Sequence, residues 1–243
     1  MLVKCRGIVI KTIDYSESSV ILKCFTDAHG LQSYLINGVR KNKGQIRPSQ
    51  LLPLTLLELE VYHQQNKNLQ RIKELKCSPP LHQLHFSMVK SSIGMFLSEV
   101  LNRSIREEHQ ADNALFDFIY NAIQLLDIEQ QKLSNFPIYF LVQLSRYLGF
   151  YPQYQNSGTG TMGFNFKDGA FEFYDEHNPF QFDVVSSSLL LEFLETGYEL
   201  QKEFQIHASH RKQLLNHLIV YYNEHLNGFS NMRSHEILAE VLE

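Results

Sequence analysis

Leu57, Leu59 and Val61 alternate with Glu58, Glu60 and Tyr62 along residues 54–64, the period of a strand with one buried and one wet face. The same character runs through Leu2–Ile13 and, by way of Val20, Ile21, Leu22 and Phe25, through Ser18–Thr26. Tyr15-Ser16-Glu17 makes a natural turn between them, and Asp27-Ala28-His29-Gly30 makes the next, leading into Leu31–Asn37. His63–Asn68 is polar and turn-like, and Leu69–Leu75 closes the set. Five strands with hairpin connections and no helical period fit the five-stranded Greek-key barrel called the OB-fold. A small sandwich or an SH3-like barrel has the same spacing and stays open at this point.

Pro79-Pro80 ends the strand pattern, and the remainder of the chain is mainly helical. We therefore expect a β domain over residues 1–78 and a helical domain over 79–243, an α+β chain. Leu84, Met88, Ile93, Phe96, Leu97, Val100 and Leu101 recur at helical spacing. Asp112 or Asn113 can cap a second helix, and Asn135 a third that stops at Gly149. Further helices fit Ser187–Gln201, His207–Leu226 and Ser234–Leu242. Residues 151–183 break the period. There Asp168-Gly169 stands between Phe164-Asn165-Phe166 and Phe171-Glu172-Phe173, which predicts a β-hairpin insertion with a tight type I′ turn.

Charge sharpens this division. The first eighty residues hold twelve basic and six acidic side chains, so the net −4 of the chain conceals a basic head on an acidic body. Such asymmetry points to two surfaces with different partners. No apolar run is long enough to span a membrane, the opening residues lead us to expect no secretory leader, and three scattered cysteines make no disulfide framework. A cytoplasmic location is the expectation.

The segment Gly38–Ser49 carries Arg40, Lys41, Lys43 and Arg47 and no anion. A cationic loop between strands suits phosphates, since Lys and Arg displace their condensed counterions; the plainer reading is a solvated loop. Lys23, Lys67, Arg71 and Lys73 can extend the patch across the barrel. Tyr15, Phe25, Tyr34 and Tyr62 stand on or beside strands where bases can stack, although Phe25 fits the barrel core better. The His82/His85 and His207/His210 pairs lack the third ligand of a metal site. There is no Cys-x-x-Cys, no nucleophile elbow and no phosphate-binding glycine loop, and Gly158-Thr159-Gly160 follows no strand. An enzyme has no chemical centre here.

Residues 7–19, the run Phe25-Thr26-Asp27-Ala28-His29-Gly30-Leu31 and Asn37-Gly38-Val39-Arg40-Lys41 together resemble the bacterial RecO DNA-repair family. Phe96–Leu101, Leu148–Pro152 and Met232–Leu238 are similar to its later segments, in register over nearly the whole chain. The resemblance implies an OB-fold followed by a helical body, binding to single- and double-stranded DNA, and annealing of complementary strands. It implies RecR and the acidic tail of single-strand-binding protein as partners, with RecA loading as the outcome. It assigns DNA contact to Arg40, Lys41, Lys43 and Arg47. Family members often hold zinc on four cysteines in the insertion; residues 151–183 contain none, so neither a metal nor another cofactor is expected. For the acidic tail, an apolar pocket between the helices at Phe96–Ile105 and Phe136–Leu148 is expected, with Arg103, Arg106 or Arg146 at its rim. Two other classes remain, a generic OB-fold RNA-binding protein and a non-catalytic scaffold.

Overall fold

The alternating residues at the start of the chain form β1 (Leu2–Asp14), β2 (Val20–Thr26), β3 (Gly30–Ile36), β4 (Leu56–Tyr62) and β5 (Leu69–Cys77). They close into a barrel in the order β1-β2-β3-β5-β4. The β3–β5 pairing is parallel and the others are antiparallel, which is the OB-fold and not a sandwich. This computed structural model describes residues 1–39, 46–64, 67–106, 111–130, 133–154, 160–198 and 203–242. The interior is filled by every second residue, among them Val9, Leu22, Cys24, Tyr34, Leu59 and Val61. Gly7 faces inward, where an added Cβ would lie 2.6 Å from Cys24 Sγ and 2.8 Å from Leu59 Cδ1. A register shift at Ile10 bends β1, so that its first half pairs with β4 and its second with β2.

Opposite parity sends Ile8 and Phe25 outward, yet both are fully buried. Phe25 packs against Phe116, with ring centroids 5.8 Å apart and the planes tilted by 42°. Phe25 thus lies in a core, but not the expected one inside the barrel: it shares a face with Lys23 two residues earlier, and a helix covers it. The covering helices are α1 (Met88–Ser104), capped by Ser87, and α2 (Asn113–Ile128), where Asp112 Oδ1 accepts the Leu115 amide at 3.0 Å. Ser98 Oγ donates to Ile10 O at 2.9 Å. Arg6 lies over the Phe116 and Tyr120 rings and pairs with Asp27 and Asp117, each at 2.9 Å. Asp127, at the end of α2, accepts the amides of His82, Gln83 and Leu84 at 2.9, 2.8 and 2.7 Å, while buried Lys90 donates to its carbonyl. These ties explain why the first compact unit is Met1–Ile128 and the second Glu129–Glu243. Residue 78 marks where strands give way to helices; packing divides the chain fifty residues later.

The second unit contains α3 (Phe136–Tyr147), the hairpin β6 (Met162–Asn165) and β7 (Ala170–Phe173), α4 (Val184–Glu195), α5 (Ala208–His225) and α6 (Ser234–Val241). Gly149, at φ +87°, ends α3 as the sequence predicts. Asn135 does not cap it, because its side chain donates to Phe204 O; a 3₁₀ turn and Pro137 start the helix instead. The hairpin turn also differs from the type I′ expected. Asn165 Oδ1 accepts the amides of Lys167 and Asp168, so the loop opens two residues early, and of the Asp-Gly pair only Gly169 has positive φ. Phe164, Phe171, Phe182 and Tyr221 pack the insertion onto α5. No described helix is long and apolar enough to cross a membrane.

Candidate nucleic-acid interface

Cross-strand register assembles one open face of the barrel. Thr12, Leu22, Tyr34 and Gln70 stand opposite one another with Leu22, Tyr34 and Gln70 buried, so their chain neighbours point out of the barrel. One outward row runs Ile13–Ile21–Leu35–Arg71–Tyr62 and the next Lys11–Lys23–Ser33–Leu69. Neither row holds a carboxylate. Lys11 and Lys23 are direct cross-strand partners, which brings two cationic side chains together on this face. Tyr62 is 48% exposed at one edge, and Tyr15, 61% exposed, follows Ile13 at the other. The face thus offers three cations, a flat apolar strip and two accessible rings, a set that suits a strand with charged backbone and stackable bases.

Loops at both ends extend it. On one side Val39 is buried in the barrel core with its amide donated to Ser18 O, and Leu51 is buried in the same core. The basic segment is therefore anchored at its two flanks. Arg47 is exposed at the start of a 3₁₀ turn, Pro48–Leu51; Arg40, Lys41 and Lys43 lie outside the described residues. On the other side the β4–β5 loop carries exposed Lys67 and is closed around Gln70. That side-chain amide donates to Gln64 O and Lys67 O at 2.8 and 2.6 Å and accepts the Gln64 amide at 3.0 Å. His63 of this loop stacks on His29 of the β2–β3 turn at 3.7 Å, with the rings 3° from parallel. Burial and the neighbouring His63 lower the His29 pKa, against a weaker opposing pull from Asp27.

The remaining exposed side of the barrel is different. Lys4 stands opposite Glu60, Arg6 and Lys76 opposite Glu58, and Lys73 Nζ pairs with Glu60 at 2.9 Å. A cleft of about 410 Å³ there is lined by Asp27, Glu58, Glu60 and Glu74 as well as by Lys4 and Lys76. Lys73 therefore does not extend the cationic patch, since the bulge that accommodates it turns it toward a glutamate. Tyr34 is no stacking platform either: it is wholly buried inside the barrel, where burial pushes its phenol pKa up. Lys11, Ile13, Ile21 and Leu35 do not stand out in the sequence, because only the pairing register shows that they share a face with Lys23 and Arg71.

Of the arginines expected at a partner pocket, Arg103 is held by Glu99 one turn away at 2.8 Å and Arg146 lies 4.4 Å over the Tyr151 ring. Arg106 is exposed just beyond α1. The second unit has an apolar pocket of about 280 Å³ between α3, α5 and α6, lined by Pro137, Ile138, Leu215, Leu238 and Leu242, with exposed Lys212 on its lining. The cysteines do not fit a zinc site. Cys5 and Cys24 are buried in the barrel, Cys5 pushed up to about 12 by burial and Asp27, and Cys77 ends β5. In the insertion, where thiolates would be needed, Glu172 Oε1 instead accepts from Asn165, Asn178 and Gln181 at 3.2, 3.1 and 2.6 Å.

Residues 1–80 match the family model described as recombination protein O N terminal, and residues 85–234 match recombination protein O C terminal. The chain is 35% identical over 242 residues to the DNA repair protein RecO of Flavobacterium psychrophilum, covering 99% of each. It is 35% identical over 245 residues to that of Azobacteroides pseudotrichonymphae and 30% identical over 244 to that of Bacteroides fragilis, in both cases across the full length of the two chains.

Proposed function

The chain belongs to the recombination protein O family of DNA repair proteins, and on that premise we propose that it works without catalysis, binding DNA on the open barrel face and mediating recombination. The observation that carries this is the register that gathers Lys11, Lys23 and Arg71 beside an apolar strip and the exposed Tyr15 and Tyr62 rings on one face. Phosphates would neutralise the cations, and Tyr15, Tyr62 and the strip would receive bases without reading their sequence. A surface that neutralises phosphate charge lowers the repulsion between two strands, which supports annealing of complementary strands.

Handing DNA to RecA in company with RecR, in the cytoplasm, is the family role we assign to this chain. The acidic tail of single-strand-binding protein would use the apolar pocket of the second unit. A tail with carboxylates and an apolar end needs a greasy pocket with a cation beside it, and Leu215, Leu238 and Lys212 supply both. We also propose that the insertion is held by its aromatic packing and the Glu172 hydrogen bonds and needs no zinc. Exhaustive dialysis against a chelator should leave both thermal midpoint and DNA affinity unchanged; a loss restored by zinc refutes that reading.

The test of the main proposal is anisotropy titration of labelled single strands over a range of salt, with strand annealing followed in parallel. Replacing Arg40, Lys41, Lys43 and Arg47 by Ala should make the slope of log K against log salt shallower by about 3, at ~0.7 per phosphate contact. Annealing should slow with it. An unchanged slope removes the loop from the interface, and RNA binding in preference to DNA would favour an RNA-binding protein instead.

A further inference from the structure

The insertion of the second unit holds aromatic side chains in water on a loop that is not loose. Phe173, Tyr174 and Phe180 are 57, 37 and 42% exposed. The backbone between them is fixed by its own side chains. Gln181 accepts the Asp175 amide at 2.8 Å and donates to Phe173 O at 3.0 Å and to Glu172 Oε1 at 2.6 Å. Asp175 Oδ1 accepts the His177 amide, Asn178 Oδ1 accepts the Phe180 amide, and the Asn178 amide returns to Asp175 O. Gly160 lets the Phe173 ring settle, since a Cβ there would lie 2.5 Å from it. A segment that commits this many hydrogen bonds to keeping rings exposed is preorganised for contact with something else.

Charge says what. Between residues 160 and 183 the carboxylates are Asp168, Glu172, Asp175, Glu176 and Asp183, against one cation, Lys167. Asp175 and Glu176 are exposed beside Tyr174. A polyanion is repelled from such a surface, so the rings do not serve bases. Aromatic faces next to carboxylates suit guanidinium groups, which stack on a ring and pair with an acid at the same time. The loop already shows half of this chemistry, because Lys167 Nζ sits 4.6 Å over the Phe180 ring.

We propose that the loop Phe173–Phe180 is a docking surface for an arginine-bearing segment of a partner protein, distinct from the barrel face assigned to DNA. Arginine is preferred to lysine there because only the planar guanidinium stacks and pairs together.

The test uses the full-length protein and two capped, fluorescent probe peptides, (Gly-Arg)₄ and (Gly-Lys)₄. The wild type should bind the arginine peptide more tightly. Phe173→Ala/Tyr174→Ala should weaken that binding by about tenfold and erase the preference, with the lysine peptide little changed. Phe173→Tyr/Tyr174→Phe, which keeps both rings, should bind as the wild type does. Asp175→Asn/Glu176→Gln should weaken both peptides alike and flatten their salt dependence. Thermal midpoints of all variants establish that they are folded. Equal binding of the two peptides by the wild type overturns the proposal, as does an arginine preference that survives loss of both rings. A single-stranded oligonucleotide that crosslinks to Tyr174 also overturns it and makes the loop a second nucleic-acid site.

Discussion

The two exposed sides of the barrel carry similar numbers of cations and do different things with them. On the side formed by β4 and the ends of β1 and β5, Lys4, Arg6, Lys73 and Lys76 each face a glutamate across a strand, or pair with one, or pair with Asp27 and Asp117. On the side formed by β2, β3 and the neighbouring parts of β1 and β5, Lys11 faces Lys23, and Arg71 faces Tyr62. Counting basic residues does not separate these surfaces. Register does, because a cross-strand partner sits close enough to cancel a charge or to reinforce it.

The two sides should differ most when the cations of each are removed together. Lys11→Ala/Lys23→Ala/Arg71→Ala should flatten the salt slope of single-strand binding by about 2 and weaken affinity roughly a hundredfold near 0.1 M salt, at ~0.7 per phosphate. Lys4→Ala/Lys73→Ala/Lys76→Ala should change affinity by less than about threefold, since Glu58, Glu60 and Glu74 line the same side and repel phosphates. Anisotropy titrations at several salt concentrations decide it, and equal losses in the two triples would show that the faces are not distinct.

A smaller effect sharpens the contrast by assigning the mixed side a structural role. Arg6 lies over two rings of α2 and pairs with two carboxylates, one on the barrel side and one on α2. Its guanidinium is partly exposed, so Arg6→Ala should cost about 1–2 kcal/mol of stability, measured by denaturant unfolding, and leave DNA affinity unchanged. A loss of DNA binding without loss of stability would move Arg6 to the other class.

The least effect concerns the His29–His63 stack, where the β4–β5 loop meets the β2–β3 turn. Burial, and then His63, hold the His29 pKa below its ordinary value in the folded chain, with Asp27 opposing. The neutral ring is thus the form that folding favours. Its contribution is complete above about pH 6.5, the unfolded value, and is lost as pH falls through that value toward the lower folded one. His29→Gln should therefore narrow the drop in thermal midpoint between pH 7.5 and 5.5. A drop of the same size in the variant would assign the acid sensitivity to other groups.

Much of this architecture is legible along the chain. The period of Leu57, Leu59 and Val61 marks β4 to within two residues, and Asp112, Gly149 and the Phe-rich insertion stand where their chemistry puts them. Other features are not legible, for physical reasons. β3 is apolar on both sides, so Tyr34 and Leu35 exchange places as candidates for the interior until Leu22 and Gln70 are seen beside Tyr34. Asn165 captures two amides and moves the hairpin turn, a side-chain competition that the Asp-Gly signal does not reveal. The open cationic face is a product of pairing between residues distant in sequence, whereas a basic loop announces itself as a run.

The dependence of the barrel on α1 and α2 has a consequence for how the protein is made. Ile8 and Phe25 lie on the outer wall of strands that leave the ribosome first, but Phe116 follows ~40 residues and the Asp127 carboxylate ~50 residues after β5 is complete. At ~5–20 residues per second that interval is about 3–10 s, far longer than strand pairing takes. A nascent barrel therefore waits with a greasy stripe uncovered, a natural target for chaperone capture, and becomes self-sufficient only when the last turn of α2 has been translated.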